Sequence, residues 1–180
     1  MISDGLARVA GLLHQRNGID AEIAATIQRP MTAGHLGEWI ASHVFDIQLE
    51  PSAAARGIDG RFRSGPLEGK SVNVKWYLKR EGTLDVSDSN ELDFYLVLAG
   101  PLSPAATSRG STRPWTIDSI YLFNARELRA QLESSGVKTG VAASVRNALW
   151  EAAEVHPRSQ NAVLALTEER RGGLHLFRAG

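Results

Sequence analysis

The sequence predicts one α/β or α+β domain, a mixed central sheet flanked by helices with a helical extension at its N-terminus. Three observations predict it. Apolar residues recur at helical spacing up to residue 45, a period-two pattern replaces them between 58 and 98, and helix and strand patterns then interleave to the C-terminus. At 180 residues and 43% hydrophobic composition the chain can bury a core without a disulfide framework or a metal staple.

The elements follow in order. Leu6, Val9, Leu12 and Leu13 lie at helical spacing behind Asp4, and Asn17-Gly18 reads as a stop, so a helix is predicted over 4–16. Asp20 caps a second short helix over 21–27, with Pro30 beyond its end. Thr32 caps a third over 33–45, whose apolar surface is Leu36, Trp39, Ile40, Val44 and Phe45. Residues 46–58 lose periodicity around Pro51 and Gly57. Strands are predicted at 58–62, 72–78 and 93–98, with a turn at Gly65-Pro66. The stretch 100–114, rich in Pro, Ser, Thr and Gly, reads as a long loop that is either functional or mobile. Beyond it come a strand at 117–123, helices at 126–134 and 144–154, and strands at 163–167 and 174–177. The organisation is an N-terminal helical element, 1–32, and an α/β core, 33–180, with no internal repeat.

Composition removes several function classes. There is no cysteine, which excludes thiol catalysis and cysteine-ligated metal, and an intracellular, cytoplasmic location fits best. Neither a signal peptide nor a run long enough to cross a bilayer is seen, so no membrane partner is expected. Neither GxGxxG, GxxxxGK[ST] nor GxSxG occurs. Twenty basic residues balance twenty acidic ones, yet the charges are segregated. Arg56, Arg61, Arg63, Lys70, Lys75, Lys79 and Arg80 face only Asp59 and Glu68, whereas Glu81, Asp85, Asp88, Glu91 and Asp93 follow with no base among them.

The basic segment carries the candidate chemistry. Gly57-Ile58-Asp59-Gly60-Arg61-Phe62 and Lys70-Ser71-Val72-Asn73-Val74-Lys75-Trp76-Tyr77 read as adjacent antiparallel strands, and alternation puts Asn73, Lys75 and Tyr77 on one face. Asp59 then approaches Lys75 and Asn73 across the hairpin. Glu38, one helical turn from His35 and Ser42, lies on a helix that can pack against the same place.

This combination resembles the PD-(D/E)xK nuclease superfamily, whose core carries an acid on an initial helix, an aspartate on one strand and an acidic-x-lysine triplet on the next. The resemblance spans about 33–98 and implies a restriction-endonuclease-like sheet. Glu38 corresponds to the helix acid, Asp59 to the strand aspartate, Asn73-Val74-Lys75 to the triplet, and the run ending at Leu98 to the next core strand. The segments GHLGEWIASHVFDIQLE and IDGRFRSGPLEGKSVNVKWYLKREGTLDV also resemble a family of small uncharacterised bacterial proteins, which brings no function with it. What the nuclease resemblance implies is hydrolysis of double-stranded DNA with Mg²⁺, or Mn²⁺ in its place. Asp59 and Glu38 would hold the metal together with the Val74 carbonyl, and Lys75 would orient the attacking water. Asn73 departs from the pattern, offering an amide oxygen where the family has a carboxylate, and Glu68 is either a substitute ligand or a turn residue.

The remaining basic residues supply a nucleic-acid surface: Arg61, Arg63, Lys70, Lys79 and Arg80 on the hairpin, and Arg109 and Arg113 in the loop before Trp115. Arg146 and Trp150, four apart on one helix, read as a cation over an indole. Residues 19–45 also resemble a helix-turn-helix, with His35, Glu38, Ser42 and His43 on the second helix. The alternative reading is a non-catalytic DNA-binding or protein-interaction domain on a degenerate nuclease-like scaffold. A homodimer would let a nuclease address both strands.

Overall fold

The computed structural model describes residues 4–51, 57–87, 89–102, 114–140 and 142–178. It is a mixed α/β fold, with a central sheet flanked by helices and an N-terminal helical extension. The chain runs α1 (Asp4–Ile27), α2 (Ala33–Phe45), β1 (Ile47–Leu49), β2 (Gly60–Phe62), β3 (Ser71–Tyr77), β4 (Thr83–Asp85), β5 (Phe94–Ala99), β6 (Ser119–Asn124), α3 (Ala125–Ser134), β7 (Ala142–Ser144), α4 (Asn147–Ala153), β8 (Glu154–His156) and α5 (Glu168–His175).

The main sheet has the order β1-β2-β3-β5-β6-β8, and β4 pairs with β7 in a separate ribbon. Within it β1, β2 and β3 are antiparallel, β5 lies parallel to β3, and β6 and β8 continue antiparallel. A centre of this kind explains the sequence pattern. All six residues of β5 and the first four of β3 are buried, because a strand covered on both faces reads as a continuous apolar run. One face packs Val72, Val74, Trp76, Leu96 and Leu98 against Ile40, Ala41 and Phe45 of α2 and Leu174 of α5. The other packs Tyr95, Val97, Tyr121 and Phe123 against Leu128 and Leu132 of α3 and Trp150 of α4.

Helix α2 starts where the sequence places it, with the Thr32 hydroxyl accepting the His35 N–H at 3.2 Å, and it ends at Asp46, whose φ is 56°. Gly37 sets its height over the sheet. A Cβ there would lie 2.9 Å from the Cβ of Trp76.

Several boundaries differ from the sequence expectation. The helices predicted at 4–16 and 21–27 form one continuous α1. Asn17-Gly18 does not stop it, because a helix-interior glycine costs about 1 kcal/mol without forbidding the conformation. The stop falls at Gln28, in the left-handed region at φ 55°, two residues before Pro30. The helix predicted over 144–154 is shorter, with β7 before it and β8 completing its last turn as a strand. Residues 163–167 form no strand, and 174–177 lie at the end of α5 and just past it. That helix begins at Thr167, whose hydroxyl accepts the Arg170 N–H at 3.3 Å, with Glu168 and Glu169 in its first turn. The short strand β1 falls in the segment that loses periodicity, β4 falls where the sequence predicts no element, and each forms against its partner, β2 and β7. No helix among the described residues is long and apolar enough to cross a membrane.

Candidate functional site

The site is built where β2 leaves β3. Gly60, the first residue of β2, is in register with Val72, and only glycine fits there because a Cβ would lie 2.4 Å from the Gln48 carbonyl oxygen. Asp59 just precedes it. Its N–H donates to the Val72 carbonyl at 2.9 Å, and its own carbonyl accepts from Glu50 N–H at 2.9 Å. The next inward donor of β3, the Val74 N–H, meets no main-chain carbonyl. It donates instead to Asp59 Oδ2 at 2.7 Å, so a side chain replaces the ladder at the point where the strands part.

Three charges act on this carboxylate. Burial pushes the Asp59 carboxyl above its usual range; the Val74 N–H opposes the rise, Glu38 adds to it by repulsion, and Lys75 and Arg29 pull the other way. Glu38 comes from α2, on the face of the sheet that holds Val74 and Trp76. Asn73 and Lys75 share the parity of Tyr77, which packs in the core on the α3–α4 side, so alternation turns them to that opposite face. Asp59 lies between the two, at the sheet's own level. The helix acid and the lysine are thereby each brought within electrostatic reach of the strand aspartate.

Asn73 is 6% exposed, and its Oδ1 is buried with no hydrogen-bond partner among the described residues. An unsatisfied acceptor of this kind costs about 1–3 kcal/mol, so it marks a position where a donor or a cation would be welcome. The Val74 carbonyl leaves β3 on the same edge as its N–H, toward Asp59. Glu38, Asp59, Asn73 and the Val74 carbonyl all offer oxygen, but Glu38 and Asn73 belong to opposite faces of the sheet. Among the described residues no group of three His, Asp or Glu side chains converges.

Arg29 is the residue sequence reasoning missed. Its guanidinium donates to Glu38 Oε2, and it is delivered there by the turn between α1 and α2. Nothing in a lone arginine before Pro30 signals this role; only the packing of α1 against α2 does. With it, the two negative charges of Glu38 and Asp59 are balanced by those of Arg29 and Lys75.

The remaining sequence candidates divide. Glu68 is exposed in the turn that closes the 3-10 segment Gly65–Leu67, where its N–H donates to the Gly65 carbonyl at 3.2 Å. Arg61 is exposed and reaches the Gly69 carbonyl at 3.2 Å, Arg63 pairs with Asp46 at 2.9 Å, and Lys70 pairs with Asp93 at 3.3 Å. Burial raises the Asp93 carboxyl, but the Ser71 N–H and hydroxyl and Lys70 outweigh it and hold it below its usual range, which makes Asp93 a clamp between the starts of β3 and β5. Lys79 is largely covered and pairs with Glu81 at 3.3 Å. Arg80 turns inward, its guanidinium 5.4 Å from the Tyr121 ring and 5.1 Å from that of Trp150, and it donates to Asn147 Oδ1 at 2.7 Å. The cation over Trp150 is therefore Arg80, while Arg146 is exposed at the start of α4. Arg56, Asp88, Arg109 and Arg113 lie outside the described residues. On α2, His35 Nδ1 and His43 Nδ1 sit 2.9 and 2.8 Å from the Pro30 and Trp39 carbonyls, and the Ser42 hydroxyl donates to Trp39.

A cavity of about 660 Å³ opens between α1 and α2, lined by Trp39, Trp76 and Trp115 with Met31, Leu36 and Phe177 and by Arg16, Ile19 and Asp20 of α1 among others. Trp76 and Trp115 meet edge to face at 5.7 Å. No protein-family model matches the chain, and no curated protein matches it.

Proposed function

We propose that this protein is a metal-dependent nuclease that hydrolyses phosphodiester bonds of double-stranded DNA, working in the cytoplasm with Mg²⁺ or Mn²⁺. The observation that carries the reading is the Asp59 carboxylate on the Val74 N–H, where β2 and β3 part, within the fields of Glu38 and Lys75. The order of these parts supports it: a helix acid, a strand aspartate, an Asn-x-Lys triplet, then a buried strand parallel to the one bearing the triplet. Asp59 and Glu38 would hold the ion, with the Val74 carbonyl as a neutral oxygen. A divalent ion there supplies Lewis acidity and a more acidic water. Lys75 orients that water and offsets the negative charge that grows on the phosphate oxygens. Arg61, Arg63 and Lys70 grip the backbone. Their present partners are surface ion pairs and a single carbonyl contact, worth about 0–1 kcal/mol for the pairs, so exchange for phosphate costs little. Trp115, half-buried at the cavity, offers a face for an unstacked base.

The test is cleavage. Purified protein with plasmid and Mn²⁺ or Mg²⁺ is expected to nick DNA, Asp59→Asn to abolish nicking, and Lys75→Ala to lower kcat by about 10²–10³. Nicking that survives both substitutions would refute the assignment.

Arg29 on Glu38 favours a second reading. With formal charges cancelled and Asn73 where a third acid belongs, the site is balanced without metal, as a DNA-binding domain that has lost catalysis would be. Salt-dependent DNA binding without hydrolysis, unaffected by chelator, would select it.

A further inference from the structure

We propose that α1 pairs antiparallel with α1 of a second copy of this chain. The helix is 24 residues long, about 36 Å, yet every residue from 4 to 19 is exposed. Among the described residues it is covered at its C-terminal end, where Ile27 is buried and Ile23 half-buried. The face that docks there continues outward as Val9, Leu12, Leu13 and Ile19, which are 54, 54, 52 and 59% exposed. At about 100° per residue these four share a sector of about 120° with Ile23 and Ile27. One apolar stripe thus runs the length of the helix, covered by the body at one end.

Such a helix does not stand by propensity. Gly5, Gly11 and Gly18 face open space, each a poorer helix former than alanine, and helices gain most of their stability from packing their apolar face. Its charges say what covers it. Asp4, Glu22 and Asp20 outnumber Arg8 and Arg16, so neither an anionic membrane surface nor a phosphate backbone is matched. A second α1 is matched. Behind Asp4 the two arginines, Arg8 and Arg16, precede the pair Asp20 and Glu22, so antiparallel packing sets arginines toward the acidic pair of the partner, whereas parallel packing stacks like on like. A register that opposes Val9 to Ile19 opposes Arg8 to Asp20. The Arg16–Asp20 bridge within the helix, at 3.5 Å and between an exposed arginine and a half-buried aspartate, is weak enough to be shared with the partner.

The pairing is independent of the chemistry at Asp59. Sedimentation velocity of the full chain at tens of micromolar is expected to give twice the 19.5 kDa chain mass, and Leu13→Glu with Ile19→Glu to give a monomer with its melting transition intact. Because the chain has no cysteine, single cysteines report the orientation directly. A mixture of Val9→Cys and Ile19→Cys proteins is expected to cross-link as heterodimers on oxidation, with neither variant cross-linking efficiently to itself. A monomeric wild type would overturn the proposal, as would a dimer that persists in the double glutamate variant or a Val9→Cys protein that cross-links to itself. A monomer that binds vesicles or DNA through α1 would overturn it equally.

Discussion

Asp59 carries a charge that the fold resists. Its carboxyl titrates above the ordinary value of 3.8, chiefly because it is buried and secondarily because Glu38 is near. Between the unfolded and the folded pKa the native state holds the extra proton, so the stability this group contributes is present in acid and is lost as pH rises through the folded pKa. Asp59→Asn keeps an acceptor for the Val74 N–H and removes the charge. It is expected to raise Tm at pH 7, by about 2–4 °C for each kcal/mol relieved, while removing metal-dependent cleavage; an unchanged or lower Tm in thermal melts would contradict this. Arg29→Met acts on the same charges from the other side. It leaves Glu38 without its guanidinium, and Mn²⁺ titration is expected to show tighter binding than wild type. His156 has the opposite sign to Asp59. Burial lowers its pKa below 6.5, helped by Arg171, His175 and Arg178, so the stability it contributes is present above pH 6.5 and is lost as pH falls through the folded value. Thermal melts from pH 8 to 5 are expected to fall less steeply for His156→Gln.

At the scale of elements, two glycines hold the site together. Gly37 brings α2 down onto Trp76 and with it carries Glu38 toward Asp59. Gly37→Ala places a Cβ 2.9 Å from Trp76 Cβ, atoms that cannot rotate away, so α2 must lift. Overpacking of this kind costs about 1–3 kcal/mol, and chemical denaturation is expected to show the loss with cleavage reduced alongside. A Gly37→Ala protein with wild-type stability would mean that α2 sits higher than described. Gly60 does the corresponding work for β2, against the Gln48 carbonyl. Both were visible in the sequence as glycines beside candidate acids, GHLGEW and IDGRF, but the atoms that require them belong to other elements. The boundary at α1 shows the same limit. Asn17-Gly18 is a strong local stop signal, and the helix passes through it because no tertiary contact opposes a glycine there.

Over the whole molecule, neutrality conceals an arrangement. The basic hairpin and the acidic segment after it do pair, Lys70 with Asp93 and Lys79 with Glu81, but these bonds tie β3 to its crossover rather than simply cancel charge. Arg80 leaves the basic strip altogether for the rings of Tyr121 and Trp150. Arg80→Ala is therefore expected to lower stability, by the loss of buried packing as well as charge, with little effect on DNA affinity, whereas Arg63→Ala is expected to do the reverse; melting and low-salt DNA-binding titrations separate them. By itself the sequence determined the class of fold, the strand alternation that puts Asn73 with Lys75, and the capped helix bearing Glu38, because periodicity and caps are written within a few residues. Only the tertiary structure decided that Asp59 takes the Val74 N–H, that Arg29 meets Glu38, that Arg80 turns inward and that most of α1 is left uncovered. Each of these depends on which surfaces far apart in the chain come to share one edge of the sheet, and no local pattern encodes that.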